Sequence, residues 1–325
     1  MNEIKFGVVG YGSIAQKHIQ LVKKKYPRSD IKILVHKKNK NLKSKFNFFH
    51  NEKLFFKNNF DYILLCNPCT RHVEYLHKSI NNKVKNIFVE KPLSDNFNKI
   101  KNFKKKYFKF KNKILVGYVL LYNKLFLETL NLIKKKKIGQ IISATIVCNS
   151  NFKKWRKNKK FYKTVSANKN LGGGVLNELS HELSYAIKLF GPIKKVFSKL
   201  HYQNHKKIDV ETHANIYCLT KNKIVLGIFL NFLSNKEERY CEIIGTNSKL
   251  LLDFKNKKII FDDKKIYHVN ENKNQMYIDQ LNFFLNNSKY KSKVILDKFN
   301  NAVETVKLIK AVKLSDNKKK LVRIY

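Results

Sequence analysis

Four short stretches hold residue types whose spacing suits chemistry. Near the N-terminus, Gly10-Tyr11-Gly12-Ser13-Ile14-Ala15 has G-x-G-x-x-A spacing. Where such a turn closes a strand and opens a helix, it offers unpaired N–H groups to an anion. Gly10 permits the tight turn, Gly12 lets a pyrophosphate approach the backbone, Ser13 and Ile14 supply first-turn N–H groups, and Ala15 keeps the helix close to the strand. Phe88-Val89-Glu90-Lys91-Pro92 sets an acid and a lysine at the end of an apolar run. A lysine held there could hydrogen-bond a hydroxyl or carbonyl, and partial burial would bring its pKa toward proton transfer. Gly172-Gly173-Gly174-Val175-Leu176-Asn177-Glu178-Leu179-Ser180-His181 brings Glu178 three residues before His181, so that the two share one face of a helix. Asn67-Pro68-Cys69-Thr70-Arg71-His72 follows a further apolar run, placing Asn67, Pro68 and His72 where α/β sheets bind ligands. Each has a plainer explanation: a glycine-rich turn, one more lysine in a lysine-rich chain, a surface Glu–His pair, an ordinary loop.

The elements that must position these residues alternate in the first third. Strand patterns at 4–9, 30–35, 60–66, 84–89 and 114–118 are separated by helical patterns from Ala15, at 71–81 and at 96–107. Residues 42–46 carry a weak helical pattern and 48–56 read as irregular. A βαβα order indicates a parallel, doubly wound sheet, so residues 1–118 read as a Rossmann domain. Beyond it, helices are expected at 125–137 and 175–190, with a long loop at 149–170 that is nearly free of core residues. From Ile193 onward seven strand patterns follow, then helices at 275–286 and 300–313. Residues 119–325 therefore read as an α+β domain with a large, mainly antiparallel open sheet.

Composition excludes several classes. The 325 residues are 43% hydrophobic, enough for two cores. No apolar run reaches bilayer length, and Glu3 followed at once by a strand argues against a signal peptide, so a cytoplasmic protein without membrane contact is expected. The net charge of +45 comes from lysines spread along the whole chain, alongside abundant Asn, Ile, Phe and Tyr. That pattern fits a biased genome better than a dedicated nucleic-acid surface. Cys66 and Cys69 have C-x-x-C spacing, but no second ligand pair follows, so no metal site is expected.

The stretches GYGSIAQKH, NPCTRH, VEKPLS and LGGGVLNELSHELSYAIKLFG, in this order, resemble the glucose–fructose oxidoreductase / inositol dehydrogenase / MocA (Gfo/Idh/MocA) family of NAD(P)-dependent oxidoreductases. The resemblance covers essentially the whole chain. It implies hydride transfer between nicotinamide and a sugar, cyclitol or sugar derivative, and a homo-oligomer formed through the C-terminal sheet. It implies that Lys91 contacts cofactor and substrate, and that His181 is the acid/base. Glu178 then stands where an Asp is usual, with Asn177 the other candidate for that position. Glu90 and Lys91 join Gly10, Gly12, Ser13, Ile14, Asn67, Pro68 and His72 as expected cofactor contacts. Tyr118, Trp155, Arg156, Asn177 and His181 join Lys91 as expected substrate contacts. The second strand ends in Val35-His36-Lys37-Lys38 with no acid, so His36 and Lys37 favour the 2′-phosphate of NADP over NAD. Two other readings stay open: a non-catalytic, regulatory nucleotide-binding Rossmann protein, and a nucleic-acid-binding protein built on the basic charge.

Overall fold

The computed structural model describes residues 3–35, 46–107, 113–155, 160–203, 207–262, 264–272, 274–286 and 289–325. The chain divides into two compact units, Met1–Gly117 with Tyr277–Ala302, and Tyr118–Met276 with Val303–Tyr325.

The first unit runs β1 (Lys5–Val9), α1 (Ser13–Lys25), β2 (Asp30–Leu34), β3 (Asn47–Phe49), α2 (Glu52–Phe56), β4 (Tyr62–Leu65), α3 (His72–Asn81), β5 (Asn86–Val89), α4 (Phe97–Tyr107) and β6 (Lys113–Val116). Among the described residues these strands form one six-stranded sheet in the order β3-β2-β1-β4-β5-β6, every pair parallel. This is the Rossmann order, and its reversal between β1 and β4 marks the ligand crevice at the strands' C-terminal ends. The stretch 48–56, read from sequence as irregular, instead completes β3 and forms α2. The cause is local: Asn51 accepts the Leu54 N–H at 3.1 Å and caps a helix too short to show a period.

Ala15, Ile19 and Val22 of α1 pack with Phe6, Val8, Ile33, Leu64 and Phe88 of the sheet. The same core takes Leu281, Phe284 and Leu285 from the helix Gln275–Leu285. Phe284 meets Phe88 and Tyr62 edge-on at 5.6 and 5.5 Å, and the Tyr62 hydroxyl donates to the Leu285 carbonyl at 3.1 Å. A segment almost 200 residues downstream in the sequence thus belongs to the first unit.

The second unit holds α5 (Lys124–Lys134), β7 (Ile141–Asn149), α6 (Val175–Glu178), α7 (Ser180–Phe190), β8 (Ile193–Tyr202), β9 (Glu211–Thr220), β10 (Val225–Asn231), β11 (Glu238–Gly245), β12 (Lys249–Asp253), β13 (Lys258–Phe261), β14 (Lys265–His268) and β15 (Val322–Arg323). Among the described residues its sheet has nine strands in the order β14-β13-β12-β11-β7-β10-β9-β8-β15. Pairs are antiparallel except β7 with β10. Alternation is clean: Val196, Ile216, Ile228 and Ile243 are buried, while Phe197, Tyr217, Val225 and Ile244 are 43%, 50%, 54% and 41% exposed on the other face.

Two expectations are corrected here. The helix expected over 175–190 is two helices, α6 and α7, broken at Leu179. The Ser180 hydroxyl donates to the Asn177 carbonyl at 2.8 Å, a local bond that competes with the helical ladder. The stretch 149–170 is not bare loop. It holds short 3-10 turns at Phe152–Lys154, Phe161–Lys163, Val165–Ala167 and Lys169–Leu171, and Phe152 is buried, stacked on Phe232 at 5.1 Å. Among the described residues no helix is long and apolar enough to cross a membrane.

Candidate functional site

In the first unit, main-chain bonds set the strand ends in step. Gly10 N–H donates to Leu34 O, Cys66 N–H to Val9 O, Glu90 N–H to Leu65 O and Gly117 N–H to Val89 O, at 2.7–2.9 Å. Gly10, Asn67, Glu90 and Gly117 therefore leave the sheet along one edge. Gly10 has φ +91°, and a Cβ on it would lie 3.0 Å from the Cys66 carbonyl and the Asn67 nitrogen. Gly12 differs: its backbone is ordinary extended chain, and a Cβ there would meet nothing within 4 Å. The first intrahelical bond of α1 is Gln16 N–H to Gly12 O at 3.0 Å, so the N–H groups of Ser13, Ile14 and Ala15 precede the ladder. Open space beside Gly12, a free helix start without an acid, and the buried Asn67 Oδ1 with no partner among the described residues fit a dinucleotide's phosphates and hydroxyls.

Glu90 is fastened from two sides. Its Oε1 lies 2.6 Å from Nε2 of His18, a buried residue of α1 whose ring also meets Phe88. Its Oε2 accepts the Lys91 N–H at 3.2 Å, and a Cβ on Gly117 would crowd it. His18 was missing from the sequence reading, although it follows Ala15 by three residues on the buried face of α1. His72 is buried with Nδ1 2.9 Å from Pro92 O and Nε2 2.8 Å from Asn67 O, so its ring joins the Asn67 and Lys91 loops. Burial holds its pKa below the ordinary value, against the pull of the two carbonyls. Lys91 and Pro68 are half-buried on this edge, and Lys91–Pro92 is a cis peptide. Burial raises the Cys66 thiol, keeping it protonated. Among the described residues no group of three or more His, Cys, Asp or Glu could hold a metal.

In the second unit, a cavity of about 440 Å³ is lined by Trp155, Glu178, His181, Glu238, Arg239 and Lys255, among others. That volume lies in the range of small-molecule sites. Glu178 and His181 reach it from different helices rather than from one face of a single helix, since α6 ends at Glu178. Tyr118, buried, meets the His181 ring edge-on at 5.7 Å. The Ser166 hydroxyl donates to Glu178 Oε1 at 3.1 Å, and the Trp155 indole N–H donates to Ser150 Oγ at 2.7 Å. Asn177 is buried, and its amide donates to the Gly172 and Gly173 carbonyls at 3.1 and 3.3 Å, which secures the glycine turn. Gly174 has φ +104°, and a Cβ there would strike the Glu211 carboxylate at 2.4 Å. Burial pushes that carboxyl's pKa up, opposed by Lys313 at 3.8 Å.

His36 and Lys37, expected to read the 2′-phosphate, and Arg156, expected at the substrate, lie outside the described residues. The charged residues Glu237, Glu238, Arg239 and Lys255 on the cavity wall, and Glu182, buried behind it against Arg239, have no role in the sequence reading. The long-range pairing of β11 with β7 brings Glu238 and Arg239 here, and Lys255 follows β12, which pairs with β11 in turn; nothing local in the sequence signals either pairing.

Comparison with known proteins follows the same division. A family model described as an oxidoreductase family with an NAD-binding Rossmann fold (GFO_IDH_MocA) matches residues 4–118, and the GFO/IDH/MocA C-terminal domain matches residues 126–251. No curated protein sequence gives a significant match. Among solved structures, an NAD binding oxidoreductase from Klebsiella pneumoniae superposes with TM-score 0.83 at 14% identity, covering 100% of both chains. The myo-inositol 2-dehydrogenase from Lactobacillus plantarum gives 0.79 at 16% identity over 100% of both chains. The WlbA dehydrogenase from Bordetella pertussis, solved with NADH and UDP-GlcNAcA, gives 0.79 at 16% identity over 100% of this chain and 99% of that one. At such identities the structures speak for the fold, while the two family models carry the assignment: the chain belongs to the Gfo/Idh/MocA family of oxidoreductases.

Proposed function

We propose that the protein transfers a hydride between a nicotinamide cofactor and a sugar, cyclitol or sugar derivative, with Lys91 and His181 moving the proton. The observation that carries this reading is the placement of His181 with Glu178 on a cavity of small-molecule size, in a chain whose other unit has a Rossmann crevice. A bound nicotinamide would supply the hydride acceptor for the carbinol carbon. The chain does the rest. The first turn of α1 and the Asn67 loop bind the dinucleotide. Lys91, steadied through Glu90 by His18, holds the substrate oxygen, and His181 takes the hydroxyl proton as the carbonyl forms. Glu178 orients substrate hydroxyls. The test is cofactor reduction across a panel of sugars and cyclitols. Tight cofactor binding with no turnover on any member would replace this reading with the non-catalytic one.

The absence of an acid in Val35-His36-Lys37-Lys38 supports NADP as the preferred cofactor. His36→Asp with Lys37→Ala then shifts preference to NAD, and an unchanged NADP/NAD ratio would refute the assignment. Exposed Phe197, Tyr217, Val225 and Ile244 on one sheet face support a homo-oligomer. Tyr217→Glu with Val225→Lys should convert it to monomer in light scattering. The five cysteines, none of them in a disulfide, support a reducing, cytoplasmic location.

A further inference from the structure

The cavity that holds His181 is backed by an ion pair that the proposed reaction does not use. Glu182, on α7, has no solvent exposure, and its Oε1 accepts Arg239 Nε at 2.6 Å. The Arg239 side chain is 30% exposed and lines the cavity, whereas its partner is fully covered. Its exposed part therefore faces the cavity. Among the described residues, this Nε bond is the only hydrogen bond the guanidinium makes. A guanidinium has five donors in a rigid fork, and here one edge is spent on Glu182 while the two terminal nitrogens are left over. Buried ion pairs add little stability over apolar packing, so stability alone does not account for a charged pair at a cavity wall. A fork locked from behind presents two parallel donors to a planar oxyanion at small entropic cost.

The surrounding acids decide which oxyanion. Glu178 receives Ser166, and Glu238 is occupied by Lys236 and Asn149, each at 2.8 Å. These carboxylates leave Arg239 and Lys255 as the cavity's cations, with Lys255 Nζ already donating to the Glu237 carbonyl at 2.7 Å. One fork among four carboxylates, those of Glu178, Glu182, Glu237 and Glu238, tolerates a single negative charge far better than the double charge of a phosphate monoester. A substrate ammonium would meet the fork as a like charge.

We propose that the substrate is an acidic sugar whose carboxylate is received by the terminal nitrogens of Arg239, with Glu182 as the residue that positions the fork. This rests on the reading of the His181 cavity as the substrate site. Arg239 is then a specificity residue and takes no part in hydride or proton transfer.

The chain has a single tryptophan, Trp155, and it lines the same cavity, so intrinsic fluorescence reports occupancy without turnover. The full-length protein is titrated, with and without NAD(P)⁺, against D-glucuronate and D-galacturonate, the parent hexoses, glucose 6-phosphate and glucosamine. The expected result is a saturable change with a uronate at a concentration about tenfold or more below that of its parent hexose. Arg239→Gln alone strands a buried carboxylate, so the informative variant is Glu182→Gln with Arg239→Gln, checked by its thermal unfolding. It should lose the uronate preference and keep whatever weak response the hexoses give. Four results overturn the proposal: no uronate response, equal response to uronate and hexose, preference for the phosphate or the amino sugar, or a folded double variant that keeps the preference. Uronate-selective binding without turnover would sink the reaction and leave the carboxylate site standing. Turnover of neutral sugars without uronate preference would do the reverse.

Discussion

The Rossmann crevice and the His181 cavity are built by opposite means. The crevice is made of main chain: strand ends held in step by backbone bonds, a helix start, and a glycine with empty space beside it. The cavity is made of side chains from α6, α7, the 149–170 stretch, β7 and β11. A main-chain site accepts a constant ligand, because every residue type offers the same N–H. A side-chain site can be rewritten one residue at a time. The difference teaches where this protein keeps its generality and where it keeps its selectivity.

The comparison can be broken in four ways. The largest effect concerns the first unit's dependence on distant chain. Phe284→Ala removes a fully buried ring from the core under β4 and β5 and should cost about 3–5 kcal/mol. A loss below about 1 kcal/mol in denaturant unfolding would show that the helix Gln275–Leu285 is dispensable to that core. Next, Lys91→Met should lower turnover at least about a hundredfold with the thermal midpoint unchanged. Near-normal turnover would remove Lys91 from the chemistry. Third, the two glycines of one motif should separate. Gly10→Ala costs about 1–3 kcal/mol of stability, because φ +91° and the 3.0 Å contacts resist a Cβ. Gly12→Val leaves stability intact but weakens cofactor binding about tenfold or more, read by calorimetry. Equal stability losses would mean the space beside Gly12 is not reserved for a ligand.

The smallest effect is electrostatic. Glu211 has a folded-state pKa raised by burial. Its contribution to stability is therefore fully present below the unfolded value of about 4.3 and is lost as pH rises through the folded value. Glu211→Gln keeps the neutral form, so the variant should gain stability over wild type at pH 7 by less than about 1 kcal/mol, and the gain should vanish at pH 4. Thermal unfolding between pH 4 and 8 checks the sign.

How much was legible from sequence follows the same line. The strands of the first unit and the motifs at Gly10, Asn67 and Glu90 are local patterns, and the fold places them along one edge. The strands of the second unit were legible too, because alternation with one solvated face is a local signal. Asn51 hid α2, since five residues cannot display a helical period. Ser180 hid the break between α6 and α7, since its bond to Asn177 leaves the apolar pattern of 175–190 unbroken. Arg239 and Glu182 lie 57 residues apart, and only strand pairing makes them neighbours. The helix Gln275–Leu285 reads as amphipathic, but nothing in its own residues says which sheet it covers.

That helix has a consequence for how the chain is made. All six strands of the first sheet have been synthesised by Val116, yet Leu281, Phe284 and Leu285 are still more than 160 residues away. At ribosomal speeds of 5–20 residues per second, the nascent sheet waits on the order of ten to thirty seconds with part of its apolar face uncovered. The unit that starts translation first is thus among the last to finish folding, and its window for meeting a chaperone is written into the order of its elements.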